Sequence, residues 1–200
     1  MNDAPRTVWT LDQSAPLGPQ LYRILRQRII SVDLAPGSRL SEAEIAATYE
    51  LSRQPVREAF IKLAEEGLLE VRPQRGTFVR KISPAAVMDV RFVREAIEAD
   101  IVRLVAEQAN DALVRELEAQ LREQERLTDT ESSRFIPLDE RFHRTLAEAA
   151  GKAYAWKVIE QVKGQMDRVR YLSTLHFPKR DLVAQHTDIV RAIARRDRLT

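Results

Sequence analysis

The 200-residue sequence contains no cysteine, which excludes disulfide bonds, thiolate metal ligands and a cysteine nucleophile. It has no apolar run long enough to cross a bilayer. Its first residues, MNDAPRTVWTLDQSAPLG, are polar and interrupted by prolines, unlike a signal peptide. We therefore expect a cytoplasmic protein with no membrane partner.

An excess of charge of one sign is also missing. The chain has 32 Lys and Arg residues against 30 Asp and Glu residues, a formal net charge of only +2. A protein that coats nucleic acid without sequence preference carries a larger positive excess. Any contact with nucleic acid must therefore come from cations that cluster on one face.

Residues 40–79 predict two short helices joined by a tight turn and followed by a β-hairpin. Ser41 is placed to cap the first helix, and Glu44 can complete a capping box. Ser52 can cap the second helix, and Pro55 fits its first turn. The second helix has a buried face of apolar residues at helical spacing, Val56, Phe60 and Leu63.

The opposite face of this second helix begins with Arg53, Gln54 and Arg57. An apolar back and a cationic N-terminal turn are typical of a DNA recognition helix. The hairpin fits a wing with Arg75 and Gly76 at its tip, where glycine lets the backbone approach a sugar-phosphate wall. The pattern predicts a winged helix-turn-helix. The alternative is an ordinary helical hairpin whose arginines are merely solvated.

This region resembles the DNA-binding domain of the GntR family of bacterial transcription regulators. The resemblance covers about residues 19–80 and includes SRQPVREA, EGLLE and RGTFV in the family's order. It implies contacts with bases, phosphates and the minor groove at five residues: Arg53, Gln54, Arg57, Arg75 and Gly76. Many relatives carry an arginine where this chain has Ala43, so one expected DNA contact is absent.

We expect a mainly α protein with three regions. Residues 1–18 form a flexible N-terminal arm, 19–81 the winged domain with a first helix over 20–32, and 82–200 a helical domain. In the last region helical periodicity without strand-like alternation predicts an antiparallel bundle. Its helices are expected over residues 84–109, 111–128, 132–150, 152–175 and 179–196.

Three polar residues interrupt the apolar faces of this predicted bundle. Asp139 and His143 lie one turn apart beside the inward face of one helix, and His186 lies within the apolar stripe of the last. A buried carboxylate needs a partner. Two imidazoles and a carboxylate can bind a divalent metal ion. The residues alone leave open that Asp139 pairs instead with His143 or with an arginine.

The helical half resembles the FCD ligand-binding domain of the FadR/FCD subfamily through VREAIEADIVRLVAE, DERFHRTL and QHTDIVRAIARRD. The resemblance implies a divalent metal ion (zinc, nickel or manganese) at Asp139, His143 and His186. It also implies a small carboxylate effector beside the metal, near Arg94. Relatives continue into a further helix with another metal-binding histidine. We therefore expect the domain to lack its last helix and to bind metal more weakly; His176 is not assigned to the site.

These features predict a transcription regulator, a repressor, that acts as a homodimer on double-stranded operator DNA. Effector binding at the metal would change the spacing of two winged domains. A metal-dependent enzyme of small carboxylates is the alternative. The sequence has no HExxH, no Gly-rich phosphate loop and no GxSxG, so we expect no enzyme. An adaptor that binds protein through an open bundle seam is a third possibility.

Overall fold

The computed structural model describes residues 10–127, 132–173 and 179–196. The chain divides into two compact units, Met1–Ile82 and Ser83–Thr200, and each unit has its own hydrophobic core. The first half of the predicted N-terminal arm, residues 1–9, lies outside the described residues. No helix in the described ranges is long and apolar enough to cross a membrane.

The N-terminal unit combines short helices with a small sheet. Its described elements are α1 (Leu17–Ile30), β1 (Arg39–Leu40), α2 (Glu42–Thr48), α3 (Arg53–Glu65), β2 (Leu69–Arg72) and β3 (Gly76–Val79). The predicted winged helix-turn-helix is confirmed: α2 and α3 are its two helices, and β2 and β3 form the wing. The first helix begins and ends earlier than the predicted 20–32, so residues 17–18 belong to it rather than to the arm.

Strand β1 was not predicted. It pairs antiparallel with β3, so that the sheet order is β1-β3-β2. The register places Arg39 opposite Phe78 and Leu40 opposite Thr77. Two residues are too few to show strand alternation, which is why the sequence pattern does not reveal this strand.

The buried face of α3 fixes the orientation of its exposed face. Val56, Phe60 and Leu63 are at most 3% exposed, as the apolar spacing predicted. The burial of each side chain of this size stabilises the fold by about 1.5–3 kcal/mol of free energy. The N-terminus of α2 is capped as predicted, because Ser41 Oγ accepts from the Glu44 N–H at 3.4 Å. The prediction that Ser52 caps α3 with its side chain is wrong: Ser52 occupies the N-cap position without a capping hydrogen bond.

The C-terminal unit is helical throughout its described part. Its elements are α4 (Pro84–Gln108), α5 (Asp111–Glu125), α6 (Ser132–Ala149), α7 (Ala153–Val162), α8 (Gly164–Leu172) and α9 (Lys179–Arg195). The predicted single helix over 152–175 is wrong. The chain turns at Lys163, with φ −70° and ψ −7°, before α8 begins at Gly164. Glycine is a poor helix former, and the ammonium group of Lys163 is drawn into a buried ion pair with Asp167 at 2.9 Å.

Candidate DNA interface and candidate metal centre

The N-terminal turn of α3 presents the predicted DNA-contacting side chains to solvent. Arg53, Gln54 and Arg57 are all exposed. Two of them are held by carboxylates: Gln54 Nε2 donates to Glu58 Oε1 at 3.0 Å, and an Arg57 guanidinium nitrogen lies 3.5 Å from Glu42 Oε2. The ion pair of Arg57 with Glu42 is long and exposed, so Arg57 can exchange this carboxylate for a phosphate or a base at little cost in free energy.

A further cation of this unit, Arg39 on β1, lies against the tip of the wing. Gly76 has a φ of +102°, and a Cβ there would come within 3.0 Å of Arg39 Nε. The Arg39 side chain therefore lies directly against the wing backbone at Gly76, and the preceding residue, Arg75, is exposed. No carboxylate pairs with Arg39 in the part of the chain that the structure describes. Sequence reasoning missed Arg39 because β1, which positions it, was not predicted.

Asp139 and His143 on α6 and His186 on α9 converge in the helical unit. One ligand atom from each lies within 4.8 Å of the others. His186 Nε2 is 3.6 Å and His143 Nε2 is 3.9 Å from the same oxygen, Asp139 Oδ1. Asp139 and His186 are each 3% exposed, whereas His143 is partly buried. The structure therefore brings all three predicted ligands together. His176 lies outside the described residues.

Residues on two other helices orient the imidazoles. His186 Nδ1 lies 2.9 Å from Gln124 Oε1, an oxygen that accepts, so Nδ1 carries the proton and donates. Nε2, which faces Asp139, then keeps its lone pair for a metal ion. His143 Nδ1 lies 3.7 Å from Glu98 Oε2. The ring of Phe142 stacks on His186 with 4.4 Å between centroids and fixes the plane of that imidazole.

The electrostatics give Asp139 and His186 the protonation states that metal ligation needs. Burial raises the pKa of Asp139, but the charge of Arg170, helped by the two histidines, outweighs it and lowers that pKa to about 2. Burial lowers the pKa of His186 to about 4, and His143 adds to this while Asp139 opposes it. At neutral pH Asp139 is therefore ionised and His186 neutral. Two imidazole nitrogens and one carboxylate oxygen fit a divalent transition metal.

Asp139 also has the arginine partner that the residues alone left open. An Arg170 guanidinium nitrogen lies 2.5 Å from Asp139 Oδ2, so the two oxygens of the carboxylate face different groups. Arg170 continues into a buried network: it lies 3.8 Å from Asp167 Oδ1, Asp167 binds Lys163, and Lys163 binds Glu140. Glu140 follows Asp139 on α6, so this series of alternating charges begins and ends on the same helix.

Arg94, the predicted effector contact, lies on α4 next to this site. Its Nε and one guanidinium nitrogen donate to Glu98 Oε1 at 2.9 and 2.7 Å. Glu98 also faces His143 through its other oxygen. The charges of Arg94 and Arg170 both help to lower the pKa of His186. Two guanidinium groups therefore act on the same imidazole.

A winged helix-turn-helix unit followed in the same chain by a helical unit with a polar internal site defines a DNA-binding transcription regulator. The family model described as "Bacterial regulatory proteins, gntR family" matches residues 17–79 of this chain. The family model of the FCD domain matches residues 89–200. The chain belongs to the GntR family of bacterial regulatory proteins, in its FadR/FCD subfamily. The family indicates a regulator rather than an enzyme.

Individual proteins agree with this assignment. The HTH-type transcriptional repressor RspR of Escherichia coli (strain K12) is 43% identical over 189 residues, which cover 94% of this chain and 83% of that protein. The Nta operon transcriptional regulator of Aminobacter aminovorans is 30% identical over 168 residues, 84% and 79% of the two chains. The solved structure of E. coli McbR/YncC shares the fold, with a TM-score of 0.73, 20% identity and coverage of 92% and 89%.

Proposed function

We propose that this regulator is a repressor whose helical unit binds a divalent metal ion and a small carboxylate effector. The convergence of Asp139, His143 and His186 within 4.8 Å carries the proposal. The name of RspR, a repressor, supports the direction of regulation.

The three residues would supply two nitrogen ligands and one oxygen ligand. Such a set leaves coordination positions open for water or for an oxygen of the effector. When bound, the metal would supply a Lewis-acidic centre that attracts a carboxylate. The guanidinium groups of Arg94 and Arg170 add positive charge on the protein side, which favours an anionic ligand.

DNA binding would use α3 and the wing of two copies. Arg53, Gln54 and Arg57 would contact bases and phosphates from α3. At the wing, Arg75 and Gly76 would contact the minor groove. A homodimer doubles the number of bases read and matches an operator with two-fold symmetry.

Arg39 extends this proposed interface. It lies against the wing tip with no carboxylate partner in the described chain. An unneutralised guanidinium at that place supplies a phosphate contact. It would compensate for the cation that Ala43 does not provide.

Metal analysis of the purified protein tests the site. We expect wild-type protein to retain about one zinc, nickel or manganese ion per chain and Asp139→Ala to lose at least 10-fold in affinity, as expected when a ligand is removed. His176→Gln, which alters the remaining histidine, is the matched control and should keep the metal. Equal metal content in wild type and Asp139→Ala would remove the site.

The effector is tested by thermal shift with small mono- and dicarboxylates, each with and without the metal. A stabilising acid should act only on metal-loaded protein. Gel shift on DNA from upstream of the gene then shows whether that acid releases the DNA, as expected for a repressor that responds to an inducer.

A further inference from the structure

Helix α7 places a tryptophan beside one of the predicted metal ligands. Trp156 is 3% exposed and belongs to the hydrophobic core of the helical unit. Its ring lies parallel to the imidazole of His143, with 4° between the planes and 6.2 Å between the centroids. Trp156 is therefore a core residue that also borders the candidate metal centre.

The indole N–H of Trp156 is buried and has no hydrogen-bond acceptor among the described residues. A buried donor without an acceptor costs free energy, and nearly all buried polar groups in proteins are paired. A phenylalanine would fill an apolar position without this cost. The presence of tryptophan instead indicates that an acceptor reaches this atom in one state of the protein.

Two other buried atoms, Gln120 Oε1 and Asp167 Oδ1, also lack a hydrogen-bond partner in the described part of the chain. Their side chains are nevertheless anchored by a second polar atom. Gln120 Nε2 donates to Thr145 Oγ1 at 2.9 Å, and Asp167 Oδ2 lies 2.9 Å from the ammonium group of Lys163. Trp156 has a single polar atom. Its side chain therefore makes no hydrogen bond within the described residues.

The imidazole next to Trp156 does not supply the acceptor. His143 Nδ1 faces Glu98 Oε2 at 3.7 Å, and His143 Nε2 faces Asp139 Oδ1 at 3.9 Å. The N–H bond lies in the plane of the indole, and that plane is almost parallel to the imidazole. The bond therefore does not point at the π-face of His143, which excludes an N–H···π contact.

A carboxylate ligand would bring the acceptor that this N–H lacks. Both oxygens of a carboxylate accept hydrogen bonds. If a metal ion takes one of them, the other lies only about 2 Å away and needs a donor in the same buried site. The guanidinium groups nearby already donate to carboxylates of the protein, Arg94 to Glu98 and Arg170 to Asp139. The indole N–H of Trp156 is an uncommitted donor.

We propose that Trp156 is a binding residue for the effector, and that its indole N–H donates to the carboxylate oxygen that the metal does not take. The inference rests on the effector of the proposed function and names one of its contacts. Because the indole is neutral, it adds no charge beside the two imidazoles. Hydrogen bonds to ionised acceptors are stronger than those to neutral ones, so this contact selects an ionised acid over the corresponding amide.

Nuclear magnetic resonance of the indole N–H groups tests this contact directly. The chain has two tryptophans, Trp9 and Trp156, so a ¹⁵N-labelled sample gives two indole signals, and Trp9→Phe shows which one belongs to Trp156. Acetate, lactate and malate are the probes. Each acid that binds zinc-loaded protein should move the Trp156 signal downfield, because the N–H gains an ionised acceptor. The same acids should leave the signal in place when zinc is absent.

Calorimetric titration of the same acids into zinc-loaded protein measures the strength of the contact. Trp156→Phe keeps an aromatic ring but removes the donor, so it should weaken the binding of each acid about 10-fold or more. Ile159→Val, a change of volume at a buried position on the same helix, is the matched control and should keep the wild-type affinity. Thermal melting followed by circular dichroism shows that both variants are folded.

The outcomes separate this contact from the effector site as a whole. An acid that binds without moving the Trp156 signal, or that binds Trp156→Phe as tightly as wild type, would overturn the role of Trp156 and leave the effector site intact. A loss for lactate and malate but not for acetate would overturn the contact with the carboxylate. Binding of none of the three acids to zinc-loaded wild type would overturn the proposed effector site and this contact with it.

Discussion

An Arg170 guanidinium nitrogen lies 2.5 Å from Oδ2 of Asp139, while both imidazoles of the candidate metal centre approach the other oxygen, Oδ1. The carboxylate is thus shared between a fixed cation and a donor set that can hold a metal ion. Because Asp139 is 3% exposed, the ionised carboxylate needs a counter-charge at all times. Arg170 supplies it whether or not a metal is bound.

Replacement of Arg170 by methionine should destabilise the metal-free protein by about 3–5 kcal/mol, because a buried carboxylate loses its cation. Zinc should then stabilise the variant more than it stabilises wild type, since the metal restores positive charge at Asp139. Urea unfolding with and without zinc measures both effects. Arg144→Met is the control: Arg144 pairs with Glu160 at 2.5 Å, but with side chains 48% and 34% exposed, so we expect a loss below about 1 kcal/mol. Equal losses in the two variants would reject the role of Arg170.

The stability of the metal-free protein should fall as the pH falls below 6.5. Folding lowers the pKa of His186 from 6.5 to about 4 and that of Asp139 from 3.8 to about 2. The unfolded chain therefore binds each proton at a higher pH than the folded chain. His186 contributes its stability above pH 6.5 and loses it between 6.5 and 4; Asp139 contributes above 3.8 and loses it between 3.8 and 2.

Unfolding in urea at pH 6.5 and pH 5 measures the first of these effects. The expected loss in the free energy of unfolding is about 2 kcal/mol over this interval, at about 1.4 kcal/mol per pH unit. His186→Gln should flatten the profile between these values. A variant that loses as much stability as wild type would show that another group is responsible.

Arg57→Ala should weaken operator binding by about 1–3 kcal/mol if Arg57 reads a base. Fluorescence anisotropy with the operator and with a duplex of unrelated sequence gives both affinities. A base contact predicts a loss confined to the operator. A similar loss on both duplexes would assign Arg57 to phosphate instead. Arg144→Ala, a change far along the chain in the helical unit, is the control for net charge.

Gly76→Ala should affect DNA binding more than an equivalent change at Gly151. Both glycines have positive φ, +102° and +66°, so alanine strains either backbone by about 1 kcal/mol or more. Only at Gly76 does the new Cβ meet another residue, Arg39 Nε at 3.0 Å, whereas nothing lies within 4 Å at Gly151. Alanine at Gly76 therefore shifts the end of the flexible Arg39 side chain by a few tenths of an ångström.

Titration of DNA binding against salt separates the loss of the Arg39 charge from a shift of its side chain. Arg39→Gln should reduce the slope of log K against log salt by about 1, the loss of one phosphate contact. Gly76→Ala should weaken binding with a smaller change of slope, because it moves Arg39 without removing its charge. Gly151→Ala should keep the wild-type slope. An unchanged slope in Arg39→Gln would remove Arg39 from the interface.

The elements that sequence reasoning anticipated are those whose signals are local. The buried face of α3 follows from the spacing of Val56, Phe60 and Leu63. Asp139 and His143 were expected to meet because they lie one turn apart on a single helix. The sequence pattern predicts neither strand β1 nor the turn at Lys163. The two residues of β1 are too few to show strand alternation. The turn at Lys163 is nearly helical, so it leaves the spacing of the apolar residues almost unchanged.

The polar residues that contact the predicted metal ligands could not be predicted from local sequence signals. Gln124, Glu98 and Arg170 come from α5, α4 and α8, and no sequence spacing links them to α6 or α9. Their roles depend on how five helices pack. A polar residue on an apolar face indicates that a buried partner exists, but only the packing shows which residue it is.

The interruption at Lys163 decides which part of the chain carries the cation beside the candidate metal centre. It leaves Arg170 on a segment of nine residues instead of on a helix that would continue from Ala153. The direction of α8 after the turn is therefore set by its own buried side chains, among them Arg168 at 0% exposure, and not by the packing of α7. The guanidinium of Arg170 can thus lie against Asp139 while Trp156 and Ile159 place α7 in the hydrophobic core.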